Sequence, residues 1–350
     1  MMKRTLTLLL AVVLLATMLP LTAFAAKKQY LEVTKDNAPI RAKASEKGAI
    51  VQRCPKGTIL EAEGSKINLY LNKWYKVRWK GDVCFIYSGN VKKVSLSNFT
   101  GALKLSKGDA KLNVSGSNVL RLKCTLKETG KSQTNVTWST SDKTVATVSA
   151  NGVVEARKPG EAVITARHKF YGTTAVCRIT VVDSKKLSTT AREQSNNSCC
   201  SGAASRVVLQ SRLGSSFKKT DLELFGEMGN SGVVYKVVNL LNKYLGKNTY
   251  EYVLKKNQKA YEDAVIASIR KGYPVIALVK ITDSAYFKYT SNGHFTVISG
   301  YEVDKDGKVT FHVTDSFKTG KNGGQFKVPA KTFFSYSKSH GYPYYLILKK

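Results

Sequence analysis

The sequence predicts a multidomain chain in which two small all-β modules precede an α+β domain. Three observations predict it. The 350 residues exceed what one hydrophobic core usually organises, at roughly 100 to 200 residues per domain. From Tyr30 to about Ser95, and again from Leu103 to Val182, short β-type runs alternate with turn residues. After Asp183 the pattern changes, with apolar residues at helical spacing first and period-two runs afterwards.

Lys3 and Arg4 precede an apolar run from Leu6 to Leu19 and then Ala23-Phe24-Ala25, a small-x-small cleavage pattern. Residues 1–25 therefore read as a signal peptide. The run is shorter than the roughly 20 apolar residues of a membrane anchor and is interrupted by Thr17 and Pro20. No later segment is apolar enough to suggest a membrane span. The expected product is secreted, either extracellular or associated with the cell wall.

The 56 Lys and Arg outnumber the 24 Asp and Glu, for a formal charge of +32. Outside a cell such a charge attracts anionic wall polymers, acidic glycans or lipid headgroups, or serves solubility alone. The lysines are spread along the chain, and no helix-turn-helix, zinc-finger or RNP pattern occurs, so nucleic acid is not the expected partner.

Six cysteines fall into three sequence pairs: Cys54 with Cys84, Cys124 with Cys177, and the vicinal Cys199-Cys200. In a secreted chain the first two pairs are open to disulfide formation, which spacing alone does not establish. The third lies in a Ser/Asn/Gly-rich stretch just before a helical pattern, a setting for a reactive thiol.

In residues 30–95 the runs Ile50-Val51, Gly57–Leu60, Trp74–Trp79 and Val83–Ile86 read as a small β-barrel. Asn37-Ala38-Pro39-Ile40-Arg41, Lys56-Gly57-Thr58, Trp74-Tyr75-Lys76-Val77 and Gly81–Ile86 resemble the bacterial SH3 family, with Cys84 where that family has a second glycine. The resemblance implies a targeting module for anionic wall polymers or peptidoglycan; a spacer without a ligand is the plainer alternative.

Residues 103–182 alternate in Asn118–Cys124 and Ala162–Ala166. Val136-Thr137-Trp138-Ser139-Thr140-Ser141-Asp142, with Val145–Val148, Asn151-Gly152-Val153-Val154 and Pro159-Gly160, resembles the bacterial immunoglobulin-like domain. This implies a β-sandwich with Trp138 as a core aromatic, Asn151-Gly152 as a tight turn, and a spacer or adhesive role. Residues 183–193 lack periodicity and read as a linker.

In residues 194–350, helical spacing covers Gly202–Leu213, Val233–Leu245 and Ala264–Arg270. Strand patterns follow at Pro274–Val279, His294–Ser299, Val309–Val313 and Tyr344–Leu348. A thiol attacks an acyl group as thiolate, and a helix N-terminus or a paired imidazole lowers its pKa. Cys200 immediately precedes Ser201-Gly202-Ala203-Ala204, small residues that open a helix and let its amides approach the sulfur. Of the four histidines, His294 begins an apolar strand after Asn292-Gly293 and suits a base. Asp315, after the strand Val309–Val313, suits the carboxylate that orients the imidazole. His168 lies in the second module, His312 points away from its strand neighbours and His340 sits in a Gly/Tyr-rich loop, so these three are set aside.

Gln194, Cys200-Ser201-Gly202-Ala203, Gly272-Tyr273-Pro274-Val275-Ile276, Gly293–Tyr301 and Thr314-Asp315-Ser316 resemble the cysteine peptidases related to the bacteriocin-leader, double-glycine processing family. The resemblance implies a papain-like cysteine peptidase acting on a peptide or protein. In it Cys200 is nucleophile, His294 general base and acid, Asp315 orienter, and Gln194 a donor to the oxyanion beside the Cys200 amide. Ser201-Gly202 replaces that family's Gly-Pro. Two rivals stay open. The Cys-Ser-Gly string also occurs in NlpC-type peptidoglycan endopeptidases, although those enzymes have a much shorter Cys–His gap than the 94 positions here. The other rival is a surface adhesin that keeps the fold without catalysis. Metal-ligand clusters, nucleotide-binding glycine loops and a paired-carboxylate signature are not evident, so no cofactor is expected.

Overall fold

The computed structural model describes residues 28–317, 324–338 and 344–350. The proposed signal peptide and His340 lie outside the described residues. The chain divides into two compact units, one ending at Ala102 and including Lys127–Thr129, the other covering Leu103–Leu126 and Gly130–Lys350.

The first unit is one antiparallel sheet of β1 (Gln29–Val33), β2 (Ala38–Arg41), β3 (Ile50–Cys54), β4 (Ile59–Ile67), β5 (Lys73–Trp79), β6 (Asp82–Tyr87) and β7 (Val91–Val94). The strand order is β3-β2-β6-β5-β4-β1-β7. In β5 Trp74, Tyr75 and Val77 are buried. The β5–β6 turn is the pair Lys80-Gly81, with φ of 52° and 94°. Positive φ at both central residues is the geometry that closes a two-residue hairpin without splaying its strands.

The second unit begins with β8 (Leu103–Leu105), β9 (Asp109–Asn113), β10 (Val119–Arg121), β11 (Cys124–Leu126), β12 (Val136–Thr140), β13 (Ala146–Val148), β14 (Val153–Ala156), β15 (Gly160–His168) and β16 (Thr174–Lys186). One sheet joins β12, β15 and β16, with β9 running parallel to β16; β10, β14 and β13 form another. Gly152 turns at φ +72°, and a Cβ there would stand 2.7 Å from the Trp138 ring. The expectation of Trp138 as a core side chain is corrected to a half-buried one that lies over this turn.

The chain continues through α1 (Cys200–Leu213), α2 (Asp221–Glu227), α3 (Val234–Leu245), β17 (Tyr250–Leu254), α4 (Gln258–Arg270), β18 (Val275–Ile281), β19 (Ser291–Val303), β20 (Val309–Thr314), β21 (Gln325–Pro329), α5 (Ala330–Lys338) and β22 (Tyr345–Lys349). The sheet runs β17-β22-β18-β19-β20-β21. Alternate residues of β18 face opposite layers: Ile276 and Leu278 pack toward α1 and α3, while Val275, Ala277 and Val279 pack toward α4 and α5. Burial on both faces explains the unbroken apolar run of this strand. The α4 helix starts six residues before the expected Ala264, because the Asn257 side chain accepts the Ala260 amide at 3.1 Å and caps a polar first turn.

Residues 183–186, read from sequence as the start of a linker, are instead the end of β16. They pair with Val303–Gly300 of β19, which takes up this neighbour after β18 leaves it at Ile298. A Cβ on Gly300 would lie 2.7 Å from the Lys185 carbonyl, so the bare glycine admits the strand. The seam is sealed by polar contacts. The Tyr301 hydroxyl reaches both Asp183 carboxylate oxygens at 3.1 Å and Ser115 at 2.9 Å, and Arg270 pairs with Asp183. All six cysteines carry free thiols here, so neither disulfide left open by the sequence is formed.

Candidate active site

The site lies where the N-terminus of α1 meets the edge of β19 and the end of β20. Cys199 is the N-cap of α1, and Cys200 is its first residue. A Cβ on Gly202 would stand 2.2 Å from the Asp221 carbonyl, so the glycine after Cys200-Ser201 lets α2 pack directly against α1. The α2 helix is fixed at its start by a reciprocal capping box between Thr220 and Glu223, worth about 1 kcal/mol.

His294 is buried on β19, opposite Val279 of β18. Its Nε2 lies 2.7 Å from Asp315 Oδ1, and its side chain is near enough to Cys200 for each to shift the other's proton affinity. Nε2 is engaged by the carboxylate, and Nδ1 is the other ring nitrogen. The Tyr289 hydroxyl donates to Asp315 Oδ2 at 2.8 Å, and the Phe317 amide donates to the same oxygen at 3.2 Å. The rings of Tyr289 and Phe317 also meet the imidazole, with centroids at 5.9 Å and 6.1 Å. The pair is thereby shielded from water, which strengthens its electrostatics.

Burial pushes the Cys200 thiol up, but the hydrogen bond and charge of His294, with the Phe295 and Ser201 amides, outweigh it and hold the thiol below its ordinary value. Burial lowers His294, yet the Asp315 carboxylate and then the Cys200 sulfur raise it to about 9. Burial raises Asp315, and His294 and Tyr289 more than reverse this. The three groups favour a thiolate–imidazolium pair with a carboxylate behind it, a nucleophile and a proton donor in contact.

Gln194 is buried in the segment leading to α1. Its backbone amide donates to the Ser316 carbonyl at 2.8 Å, its Oε1 accepts from Ser316 Oγ at 3.2 Å, and its Nε2 donates to the Asn196 carbonyl at 2.7 Å. It is thus tied to the residue after Asp315, with one side-chain hydrogen spent on its own loop. Of the four residues singled out from sequence, His294 and Asp315 are hydrogen-bonded, Cys200 and His294 are electrostatically coupled, and Gln194 is tied to Ser316, the residue after Asp315.

Sequence reasoning missed two groups. Tyr289 buttresses Asp315, and no motif marks it. Asp221 is buried and accepts from the Ser195 amide at 2.7 Å, Ser195 Oγ at 2.8 Å and Cys199 Sγ at 3.0 Å. It pins the loop between Gln194 and Cys200. Burial and then the Asp221 carboxylate raise the Cys199 thiol. Only its place at the head of a capped helix, after Thr220, is readable from sequence. The set-aside histidines serve elsewhere: His168 accepts the Phe170 and Tyr171 amides at 3.1 Å and 3.2 Å, and His312 meets Glu302 at 3.0 Å. Among the described residues no group of three or more His, Cys, Asp or Glu gathers as a metal site, and no helix is long and apolar enough to cross a membrane.

Comparison with known proteins agrees at the level of domains. Residues 186–343 match the Peptidase_C39 like family, and residues 107–178 match the Bacterial Ig-like domain (group 2). The chain is therefore similar to the Peptidase_C39 like family over its C-terminal part, and to a bacterial immunoglobulin-like domain before it. None of the curated proteins matches it. Among solved structures, an intimin mutant of EHEC O157:H7 is 13% identical, with 65% of this chain and 90% of that chain covered and a TM-score of 0.20. Drosophila N-cadherin EC1-3 is 10% identical, with 45% and 56% covered and a TM-score of 0.20. NlpC1 from Trichomonas vaginalis is 11% identical, with 87% and 89% covered and a TM-score of 0.15. Similarity at these scores carries no argument about function.

Proposed function

We propose that the protein is a secreted cysteine peptidase in which Cys200, His294 and Asp315 hydrolyse peptide bonds, with Gln194 and the Cys200 amide holding the oxyanion. The observation that supports this reading is the buried His294–Asp315 hydrogen bond beside Cys200 at the start of a helix, with the thiol lowered and the imidazole raised. The Cys200 thiolate adds to the scissile carbonyl, and His294 gives its proton to the departing amine, leaving a thioester on Cys200. His294, now neutral, takes a proton from water as that water attacks the thioester, which frees the acid product and restores the pair. Asp315 keeps the ring in the tautomer that presents Nδ1 to sulfur and stabilises the imidazolium. The second Nε2 hydrogen of Gln194 and the Cys200 N–H are the donors assigned to the developing oxyanion.

In this reading residues 1–25 direct export and are removed, the immunoglobulin-like domain is a spacer, and residues 30–95 are a bacterial SH3-type module that holds the enzyme on anionic wall polymer or peptidoglycan. The test is a thiol-directed acyl electrophile followed by a peptide library. Labelling at Cys200 that is lost in His294→Ala, together with cleavage by wild type but not by Cys200→Ser, supports the peptidase. Failure to label reduced protein, or labelling of both Cys199 and Cys200 regardless of His294, favours the non-catalytic adhesin.

A further inference from the structure

In the first unit the tip of the β4–β5 hairpin carries an apolar group that the sheet does not use. Leu69, Tyr70 and Leu71 are 98%, 76% and 86% exposed, and Ile67 beside them is 62% exposed. Three consecutive apolar side chains in water need an explanation that scattered surface leucines do not.

Two features mark the tip as a built projection. Asn68 absorbs the polar groups of the turn: its Oδ1 accepts the Tyr70 and Asn72 amides at 3.0 Å each, and its carbonyl accepts the Leu71 amide at 3.0 Å. Its own amide donates to the Asn72 carbonyl at 3.0 Å. With the Tyr70, Leu71 and Asn72 amides satisfied inside the loop and the apolar side chains outside, the cost of bringing this backbone to an apolar medium is lowered. Leu71 also sits at φ +59°, a left-handed conformation suited to Gly or Asn and sterically poor for leucine. The fold accepts strain to keep a large apolar side chain where a small or polar residue would relax the turn.

The surroundings are cationic. Lys73 pairs with Ile67 at the last rung of the hairpin, and Lys66 precedes it. Lys66 and Lys43 line a cleft of about 500 Å³ beside the tip, with Ser45 and Phe85. Residues 28–102 hold fourteen Lys and Arg against six Asp and Glu.

We propose that this tip is a membrane-surface anchor, in which Leu69, Tyr70 and Leu71 enter the interfacial layer of a bilayer whose anionic headgroups meet Lys43, Lys66 and Lys73. An apolar apex inside a basic collar matches the order of a lipid surface, with acyl chains beneath anionic headgroups. A hydrated wall polymer supplies the charge but no apolar layer to receive three side chains. The inference is independent of the peptidase reading.

The test is cosedimentation of the full chain with vesicles of phosphatidylcholine alone and of phosphatidylcholine with about one third phosphatidylglycerol. The chain is expected on the anionic vesicles only. The double variant Leu69→Ser/Leu71→Ser, with unchanged circular dichroism and thermal midpoint, is expected to lose at least about tenfold in partitioning. In Tyr70→Trp, emission is expected to shift to the blue on vesicle addition and to be quenched by lipids brominated in the acyl chains. Wild type that ignores anionic vesicles overturns the proposal, as does a double variant that binds as well as wild type. Binding of wild type to isolated peptidoglycan sacculi but not to vesicles, with loss in the double variant, also overturns it and assigns the tip to wall polymer.

Discussion

Cys199 and Cys200 are neighbours in sequence, yet they face opposite sides of the α1 N-terminus. The Cys200 sulfur meets the imidazole of His294 and the amides of Phe295 and Ser201, groups that favour its anion. The Cys199 sulfur is buried and donates to the Asp221 carboxylate at 3.0 Å, a partner that favours the neutral thiol. Both share the same helix, so the helix dipole alone does not make a nucleophile. What separates them is the charge each sulfur faces, positive from β19 and negative from α2. Cys54 and Cys124 follow burial alone, pushed up to about 12 and about 11.

The contrast predicts a hierarchy of effects. Cys200→Ser is expected to lower kcat/KM by about a thousandfold or more, because a hydroxyl at this position is not ionised by the same imidazole; single-turnover assays on a cleaved library peptide measure it. Asp315→Asn follows, at about a hundredfold. It also carries a pH signature. In wild type, activity rises as pH passes the lowered Cys200 value and the thiolate forms, and it falls above about 9 as His294 loses the proton it must give the leaving amine. Asp315 is what raises His294 against burial, so the variant's alkaline limb is expected to move to lower pH.

Asp221→Asn is expected to cost about tenfold in kcat, by loosening the loop that carries Gln194, while its alkaline limb stays near that of wild type because Asp221 does not touch His294. A pH–rate profile of both Asp variants separates the two carboxylates. The smallest effect belongs to Cys199→Ser, expected within about threefold of wild type, since the hydroxyl can donate to Asp221 as the thiol does. Steady-state kinetics under reducing conditions checks this.

The legible part of the site was the part written in local strings. Cys200 before a small-residue helix start, His294 after Asn292-Gly293 and Asp315 at a strand end are each readable within a few residues. Their meeting follows from the antiparallel neighbours β19 and β20. Asp221 and Tyr289 were not legible, because each acts through space on a segment distant in sequence and neither stands in a periodic or glycine-marked pattern. The same limit explains the seam: Asp183–Lys186 is polar, and its strand conformation comes from pairing with β19, which a window along the chain does not contain. Gly300 had a visible place in the His294 string, but its use is to admit the Lys185 backbone.

The most direct test of the account is pH-resolved alkylation of the reduced native protein with iodoacetamide, with modification at Cys199 and Cys200 quantified separately by peptide mass spectrometry in wild type and His294→Ala. Cys200 is expected to react well below the ordinary thiol range of about 8.5, Cys199 to stay unmodified there, and His294→Ala to move Cys200 upward in pH. Equal profiles at the two sulfurs, or a Cys200 profile indifferent to His294, would contradict it.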